Sequence, residues 1–527
     1  MQDEASATVS TGAEALVRAL VDEGVTVFFA NPGTSELHAV SAIDREAGAR
    51  GVLCLFEGVA TGAADGYGRI ARSPAATLLH LGPGLANGMA NLHNARQAGS
   101  PMVVVVGEHS GDHLAFDSPL KSDLERLPPY YSKGVRTLRP GDDMAAAAAE
   151  AVHASMSRPA GISTLVAPAD AMWAPPSRPS RVEARPRSPE TFDTAVADRI
   201  SAALRGGSAA LILGGEALLE DGLTLAGRIA AATGATLLSE TFNARHSRGG
   251  GLPHAQRIPY FPELAAPLLA KFGLLVLLGS KRPTSFFGSP NQPSDLVASD
   301  TVVIGIGPGD DPVAVLRHLA ESMAAGTAEP IAPARQTLPL PTGPLTAGAI
   351  WAAMNHLMPD GSIVCEEAGV SSRGADEAMS VAARHEWLNL TGGSIGDAVS
   401  LAVGAAVAAP GAKVFAVQGD GGALYTIQAL WTHAREKLNV LTVIMNNGRY
   451  AILDYEAKRH GISLGARGAS LFDLASPSIE WVQVARGLGV EAATATTAEE
   501  FSDRLREAIA ADGPRLIDAR LSRPPRK

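Results

Sequence analysis

The stretches VFAVQGDGGALY (414–425) and LTVIMNNGRY (441–450) decide how this chain is read. Each opens with an apolar run far too short for a membrane span and of the right length for a buried strand. Each run then changes character, to Gly419-Asp420-Gly421 in the first and Asn446-Asn447 in the second, with 24 residues separating Gly421 from Asn446. Apolar strands joined through helices form parallel sheets covered on both faces. In a doubly wound sheet the carboxyl ends of the strands share one edge, where ligands bind. Asp420 and Asn447 are therefore expected near each other on that edge. A carboxylate, an amide oxygen and a backbone carbonyl are hard oxygen ligands, suited to Mg²⁺ or Ca²⁺ with phosphate oxygens completing the shell. The glycines let backbone N–H groups approach phosphates, and a helix expected to start near Ala423 aims its N-terminus at them. GDG alone is a common turn; the two asparagines closing the next strand make the pattern specific.

The same rhythm runs outward from these stretches. SIVCEE (362–367) and WLNL (387–390) read as strands of the same block. AALILGG, ATLLSE, FGLLVLLGS and TVVIGIG form a second set. VTVFF (25–29), LCLF (53–56), ATLLH (76–80) and MVVVVGE (102–108) form a first. Ahead of these, Thr11 and Glu14 read as a capping box for a helix with Ala13, Leu16, Val17, Leu20 and Val21 on one face, stopped at Gly24. AAAAAEAVHASM (145–156) reads as a plain helix. Proline-rich stretches at 174–190 and 326–344 read as linkers. The expected fold class is α/β, with three successive doubly wound parallel-sheet domains over 1–175, 190–328 and 344–527.

A chain of 527 residues is too long for one ordinary core. Its formal net charge of −10, with no offsetting basic stripe, argues against nucleic acid as a partner. No apolar run approaches a membrane span, and the opening MQDEASATVSTG lacks the basic and apolar regions of a signal peptide. Cys54 and Cys365 both lie in apolar runs and read as buried free thiols in a reducing cytoplasm.

Glu57 follows an apolar run and opens a helical pattern in LCLFEGVATGAADGYGR. The simple reading is an acid favoured by the helix dipole. Together with GDG and the paired asparagines, however, this stretch resembles the glutamate motif of the thiamine diphosphate (ThDP) enzymes, and the resemblance extends over nearly the whole chain. It implies that Glu57 is buried and bonds the cofactor's aminopyrimidine ring. It implies that Asp420 and the Asn447 side chain hold a metal, Mg²⁺ or Ca²⁺, together with the Arg449 carbonyl. Gly421, Gly422 and Ala423 would then lie by the diphosphate, with Asn447 and Tyr450 also against the cofactor. In GGSIGD (392–397) Ile395 would be the apolar wedge under the bent cofactor and Gly393 the carbonyl holding its amino group. Alone, that turn is explained equally well as glycines before a helix. The three domains would be pyrimidine-binding, central and diphosphate-binding. Sites in this superfamily pair the first and third domains of different subunits, so a homodimer at least, and a homotetramer by extension, is expected.

FFANPGTSELHAV (28–40), ATLLHLGPGLANGMANLHNAR (76–96) and NNGRYAIL (446–453) are similar to the branch containing benzoylformate decarboxylase and acetolactate synthase. In that branch Thr34 would bind the substrate carboxylate and His80 would move protons, a task suited to imidazole near neutral pH. His109 and His113 follow the fourth strand and read either as site residues or as ordinary loop histidines. Glu366 and Glu367 end their strand either near the cofactor or in solvent. Benzoylformate decarboxylase has a second catalytic histidine in its central domain, where GSKRPTSFFGSP offers Lys281 and Arg282 instead, as a surface loop or as cations for an acidic substrate. The resemblance implies a cytoplasmic lyase or transferase acting on a small 2-oxo acid, by decarboxylation, by carboligation to a second carbonyl, or both. The alternatives are an acetolactate synthase that also holds FAD in residues about 191–325, and a catalytically silent ThDP-binding regulator. FAD is the less expected cofactor. No GxGxxG opens a helix after the first strand, which argues against a nicotinamide dehydrogenase.

Overall fold

Strands β1 (Val27–Asn31), β2 (Arg50–Leu53), β3 (Ala75–Leu79), β4 (Met102–Glu108), β5 (Ser132–Thr137) and β6 (Ile162–Pro168) form one parallel sheet, ordered β2-β1-β3-β4-β6-β5. They belong to a computed structural model that describes residues 9–177 and 192–522. Residues 178–190 of the first expected linker lie outside the described residues. The second, 326–344, runs without helix or strand apart from an isolated bridge between Pro344 and Thr497.

The second sheet takes β7 (Ala209–Leu213) and β8 (Thr236–Ser239), passes over β9 (His246–Arg248), and continues with β10 (Gln256–Arg257), β11 (Leu274–Leu278) and β12 (Val302–Gly305). Its order is β10-β8-β7-β11-β12, all parallel. The third sheet comprises β13 (Ser362–Glu367), β14 (His385–Asn389), β15 (Val414–Gly419), β16 (Val440–Asn446), β17 (Glu491–Ala495) and β18 (Arg515–Arg520). They are ordered β17-β18-β16-β15-β13-β14, with β9 added antiparallel at the far edge beside β14. The architecture is thus three α/β domains with doubly wound parallel sheets, the third borrowing one strand from the middle of the chain. β9 is three residues of His, Ser and Arg, without an apolar pattern to announce it. It is held by Arg248, whose guanidinium lies 4.7 Å over the Trp387 ring and 3.0 Å from Asp376.

Several expected elements shift. β1 begins at Val27 rather than Val25, and β2 covers Arg50–Leu53 rather than 53–56, because the parallel register runs from Val27↔Arg50 to Ala30↔Leu53. Cys54 still donates its N–H to Ala30 O at 2.9 Å, and extended Phe56 then starts the helix Glu57–Ala71 with Glu57 as its first residue. The helix near Ala423 is instead a single turn, Asp420–Ala423, and a separate helix, Ala429–Arg435, follows. At the chain's first helix, Thr11 accepts from Glu14 N, but Glu14 returns to Ser10 N rather than to Thr11. Both cysteines are free and buried. Among the described residues no helix is long and apolar enough to cross a membrane.

The first and third domains meet where Glu57–Ala71 crosses the helix Ala398–Ala408. A Cβ on Gly404 would overlap the Ala63 carbonyl and one on Gly66 the Leu401 carbonyl, so these glycines allow the backbones to touch. Beside the crossing, buried Arg69 spans all three blocks. It holds Asp65 in a bidentate pair (2.5 and 2.7 Å), donates to Asn389 O (2.6 Å) and Ala244 O (3.2 Å), and faces Asp397 at 3.9 Å. Burial opposes its charge, but Asp65 and Asp397 outweigh that and hold the guanidinium protonated. Removing one partner of a buried ion network strands the others, typically at a cost of about 3–5 kcal/mol. Arg69→Met is therefore expected to lower the urea midpoint markedly, and Asp65→Asn by less, since it leaves the cation its other partners. An unchanged midpoint for Arg69→Met would show that the cluster does not join the domains.

Candidate active site

At the carboxyl edge of the first sheet, β1 runs into Pro32-Gly33 and a short 3₁₀ turn, Thr34–Glu36. Glu36 is buried; its carboxylate accepts from Gly33 N at 2.8 Å and meets His80 Nδ1 at 2.7 Å. A Cβ on Gly33 would overlap the His80 ring, so glycine is required for this approach. His80 follows β3 directly and is the N-cap residue of the helix Leu81–Ala98. Buried Leu81 takes φ 51°, a strained conformation for a leucine, in the sharp turn that leaves the imidazole at the sheet edge. Glu57 is buried and accepts from Asn87 Nδ2 at 3.0 Å. Gly84 packs between the two groups: a Cβ there would sit 3.1 Å from Glu57 Oε1 and 3.3 Å from His80 Cβ. Glu57, His80 and exposed Thr34 thus share one edge. His109 lies close enough that burial first, then the His113 and His80 charges, push its imidazole below the usual range. The His113 ring lies tilted against His109 at 5.0 Å but is exposed on the loop.

At the corresponding edge of the third sheet the organising group is Glu367, the last residue of β13. Its buried carboxylate accepts from the backbone N–H of Gly396 (3.0 Å), Asp397 (2.5 Å) and Ala398 (3.4 Å). Burial pushes it up to about 7 even against those donors. A Cβ on Gly422 would overlap Glu367 Oε1, so the same carboxylate also sets the GDGG turn. From the first domain, Asn94 brackets Ser394, accepting from its N–H (3.2 Å) and donating to its carbonyl (2.8 Å). His93 Nε2 lies 3.1 Å from Gly392 O. Gly393 (φ 76°) and Gly396 (φ 95°) take the left-handed backbone that this loop needs, with half-buried Ile395 between them.

Asp420 is buried at the end of β15, and its Oδ2 accepts from Gly448 N at 2.7 Å. Burial pushes its carboxyl up to about 6. Asn447 Oδ1 is buried with no hydrogen-bond partner, an unsatisfied acceptor that costs free energy unless something binds it. Among the described residues no three His, Cys, Asp or Glu side chains gather as a metal site. One carboxylate and one orphaned amide oxygen fit a hard cation whose remaining ligands are phosphates, backbone and water. Gly421 lies under the Tyr450 ring, whose hydroxyl is 3.5 Å from Gly421 O. The Arg449 guanidinium is held by Asp454, so a contribution to this edge falls to its backbone. A cavity of about 270 Å³ opens beside Asp420 and Gly448, walled by Ser478, Trp481 and Arg520.

Other candidates from the sequence have partners of their own. Glu366 accepts from Ala368 N and Ser372 Oγ in a local turn. Lys281 Nζ is on Gln97 Oε1 at 3.0 Å, and Arg282 pairs with Asp295 at 2.8 Å, both on the exposed loop after β11. Sequence reasoning passed over Glu36, Asn87 and Asn94. Glu36 carried a signal, the three-residue spacing from Gly33 that lets its carboxylate cap that N–H; the asparagines carried none.

Residues 10–125 match the N-terminal TPP binding domain of thiamine pyrophosphate enzymes, and residues 367–519 match the C-terminal one. The chain is 46% identical over 512 residues to a Mycobacterium tuberculosis H37Rv protein provisionally named acetolactate synthase large subunit IlvX, covering 96% of this chain and 98% of that one. It is 27% identical to benzoylformate decarboxylase of Pseudomonas aeruginosa, over 94% and 96% of the two chains. Its fold is shared with the ThDP-dependent 4-hydroxybenzoylformate decarboxylase of Rhodococcus jostii RHA1, with TM-score 0.85, 23% identity and coverage of 97% and 99%. With two cofactor-domain matches and a near full-length relative at this identity, the chain belongs to the thiamine pyrophosphate enzyme family, within its decarboxylase and acetolactate synthase group.

Proposed function

We propose that the chain is a Mg²⁺- and ThDP-dependent enzyme that releases CO₂ from a small 2-oxo acid and yields an aldehyde or, with a second carbonyl compound, a 2-hydroxy ketone. The observation that carries this reading is the unpartnered Asn447 Oδ1 near buried Asp420, at an edge whose two glycine turns are both set by Glu367. Asp420, Asn447 and the Arg449 backbone would hold the metal. Gly421, Gly422 and Ala423, with Tyr450 packed on Gly421, would cradle the diphosphate. Gly393 and Ile395 would support the cofactor's bend. ThDP, when bound, supplies the electron sink that lets the bond to the carboxylate break.

The protein's own part is to bind, orient and move protons. Glu57, buried and held by Asn87, is suited to keep a proton on a ring nitrogen of the cofactor. Thr34, exposed at the turn after β1, would orient the substrate carboxylate. His80 has Nδ1 committed to Glu36, which leaves Nε2 to give and take the proton of the reacting carbon. Glu57 and Asp420 sit on different sheets, and by family likeness each site is completed by two copies of the chain. Both decarboxylases and acetolactate synthases occur among its relatives, which supports either fate of the product.

A flavin is not part of this reading. In the middle sheet the switch point lies between β7 and β11, where a dinucleotide would enter. There the loops meet backbone to backbone: a Cβ on Gly214 would be 2.5 Å from Gly279 O, and one on Gly279 2.6 Å from Gly214 O.

The test is CO₂ release by protein loaded with Mg²⁺ and ThDP, from pyruvate, 2-oxobutyrate, benzoylformate and oxalyl-CoA. At least one acid is expected to turn over, in protein without flavin absorbance, and Glu57→Gln to slow it by about 100-fold or more. ThDP binding without release from any acid would favour a silent regulator instead. Glu36→Gln is expected to lower kcat by about tenfold or more while leaving KM nearly unchanged. Combined with His80→Ala it should add little, since the two act as a unit. Additive losses would show that Glu36 does not work through His80.

A further inference from the structure

We propose that Phe286 is the specificity-determining wall of the substrate site and that the donor is a 2-oxo acid bearing an aromatic group; this rests on the functional reading above. Phe286 comes from the loop after β11, yet its ring edge lies on the loop that would hold the cofactor. A Cβ built on Gly393 would be 2.6 Å from Phe286 Cζ.

The ring is one end of a belt. Phe286 tilts against Phe242 at 5.2 Å and Tyr260 at 5.5 Å, with Phe287 edge-on at 4.7 Å. Tyr260 meets Phe261 at 4.9 Å, and Phe261 meets Tyr455 at 4.7 Å. Tyr455 belongs to the helix Ala451–Arg459, which starts directly after Tyr450. Both ends of the belt therefore rest on segments assigned to the cofactor. Arg459 pins the far end, 5.6 Å over the Phe261 ring and 2.8 Å from Glu263.

Only 5% of the chain is aromatic, so this gathering of six rings is not a chance of composition. Nor is it a closed core, since Phe286 is 42% exposed, Phe287 63% and Tyr455 40%. Rings left in water beside polar, convergent groups are what a ligand site presents before it fills. The cations of the same loop do not contribute, because Lys281 and Arg282 are engaged with Gln97 and Asp295. What remains next to Gly393 is a ring that offers edge-to-face contact and dispersion but no partner for a charged or hydroxylated side chain. Phe286 also brings no titratable group, so proton transfer is left to His80 at the other edge.

The test uses protein loaded with Mg²⁺ and ThDP and a pair of unreactive acids lacking the 2-oxo group, 3-phenylpropanoate and propanoate, titrated by calorimetry. The phenyl acid is expected to bind about tenfold tighter or more. Phe286→Ala should reduce that ratio at least about fivefold, Phe286→Leu should reduce it in part, and Lys281→Ala should leave it unaltered. An equal ratio in the wild type and Phe286→Ala, as expected if the belt only meets another protein surface, overturns the proposal. CO₂ release from pyruvate without aryl discrimination in binding would remove the role of Phe286 while the functional reading stands. Aryl discrimination without release from any acid would do the reverse.

Discussion

The site depends first on one buried carboxylate. Glu367 ends a central strand and accepts backbone N–H groups from Gly396, Asp397 and Ala398, while its other flank occupies the space a side chain at Gly422 would need. It therefore fixes the relative position of two glycine turns that lie far apart in the sequence. A charged group taken out of water is costly unless it is well bonded, and its elevated titration, to about 7, records that tension. Several donors converging on one acceptor leave those turns little freedom, which is what a preformed cofactor cradle requires.

The surrounding fold serves that placement. Glycines at the crossing of Glu57–Ala71 with Ala398–Ala408 bring the first and third domains into backbone contact, and Arg69 ties both to the middle of the chain. The helix Leu81–Ala98 reaches both edges. Its first two turns carry Gly84 and Asn87 beside Glu57, and its last turns carry His93 and Asn94 onto residues 392–394. One rigid helix thus relates the acid–base edge of the first domain to the cofactor loop of the third within a single chain.

Much of this was legible in the sequence because strand ends in parallel sheets carry the chemistry. Asp420 and Asn447 stood at the ends of two apolar runs, and Glu57 at the start of a helix; the fold sets them there. The strand limits were less legible. A two-residue change at β1, and the end of β2 at Leu53, depend on pairing register, which apolar runs do not reveal. β9 was hidden because a strand of His, Ser and Arg is held by a cation over a tryptophan rather than by alternation. Glu36 showed only as a capping distance, and its partner His80 lies 44 residues on. Phe286 gave no signal, since its neighbours Phe242, Tyr260 and Gly393 are joined only by the tertiary fold.

The most direct measurement of the central claim is calorimetric titration of ThDP, with Mg²⁺ present, into the wild-type chain and into Glu367→Gln. The account predicts stoichiometric binding by the wild type and an affinity at least about tenfold weaker in the variant, because an amide there loses one acceptor and sets a donor against the backbone N–H groups. Equal affinities, or no binding by the wild type, would contradict it.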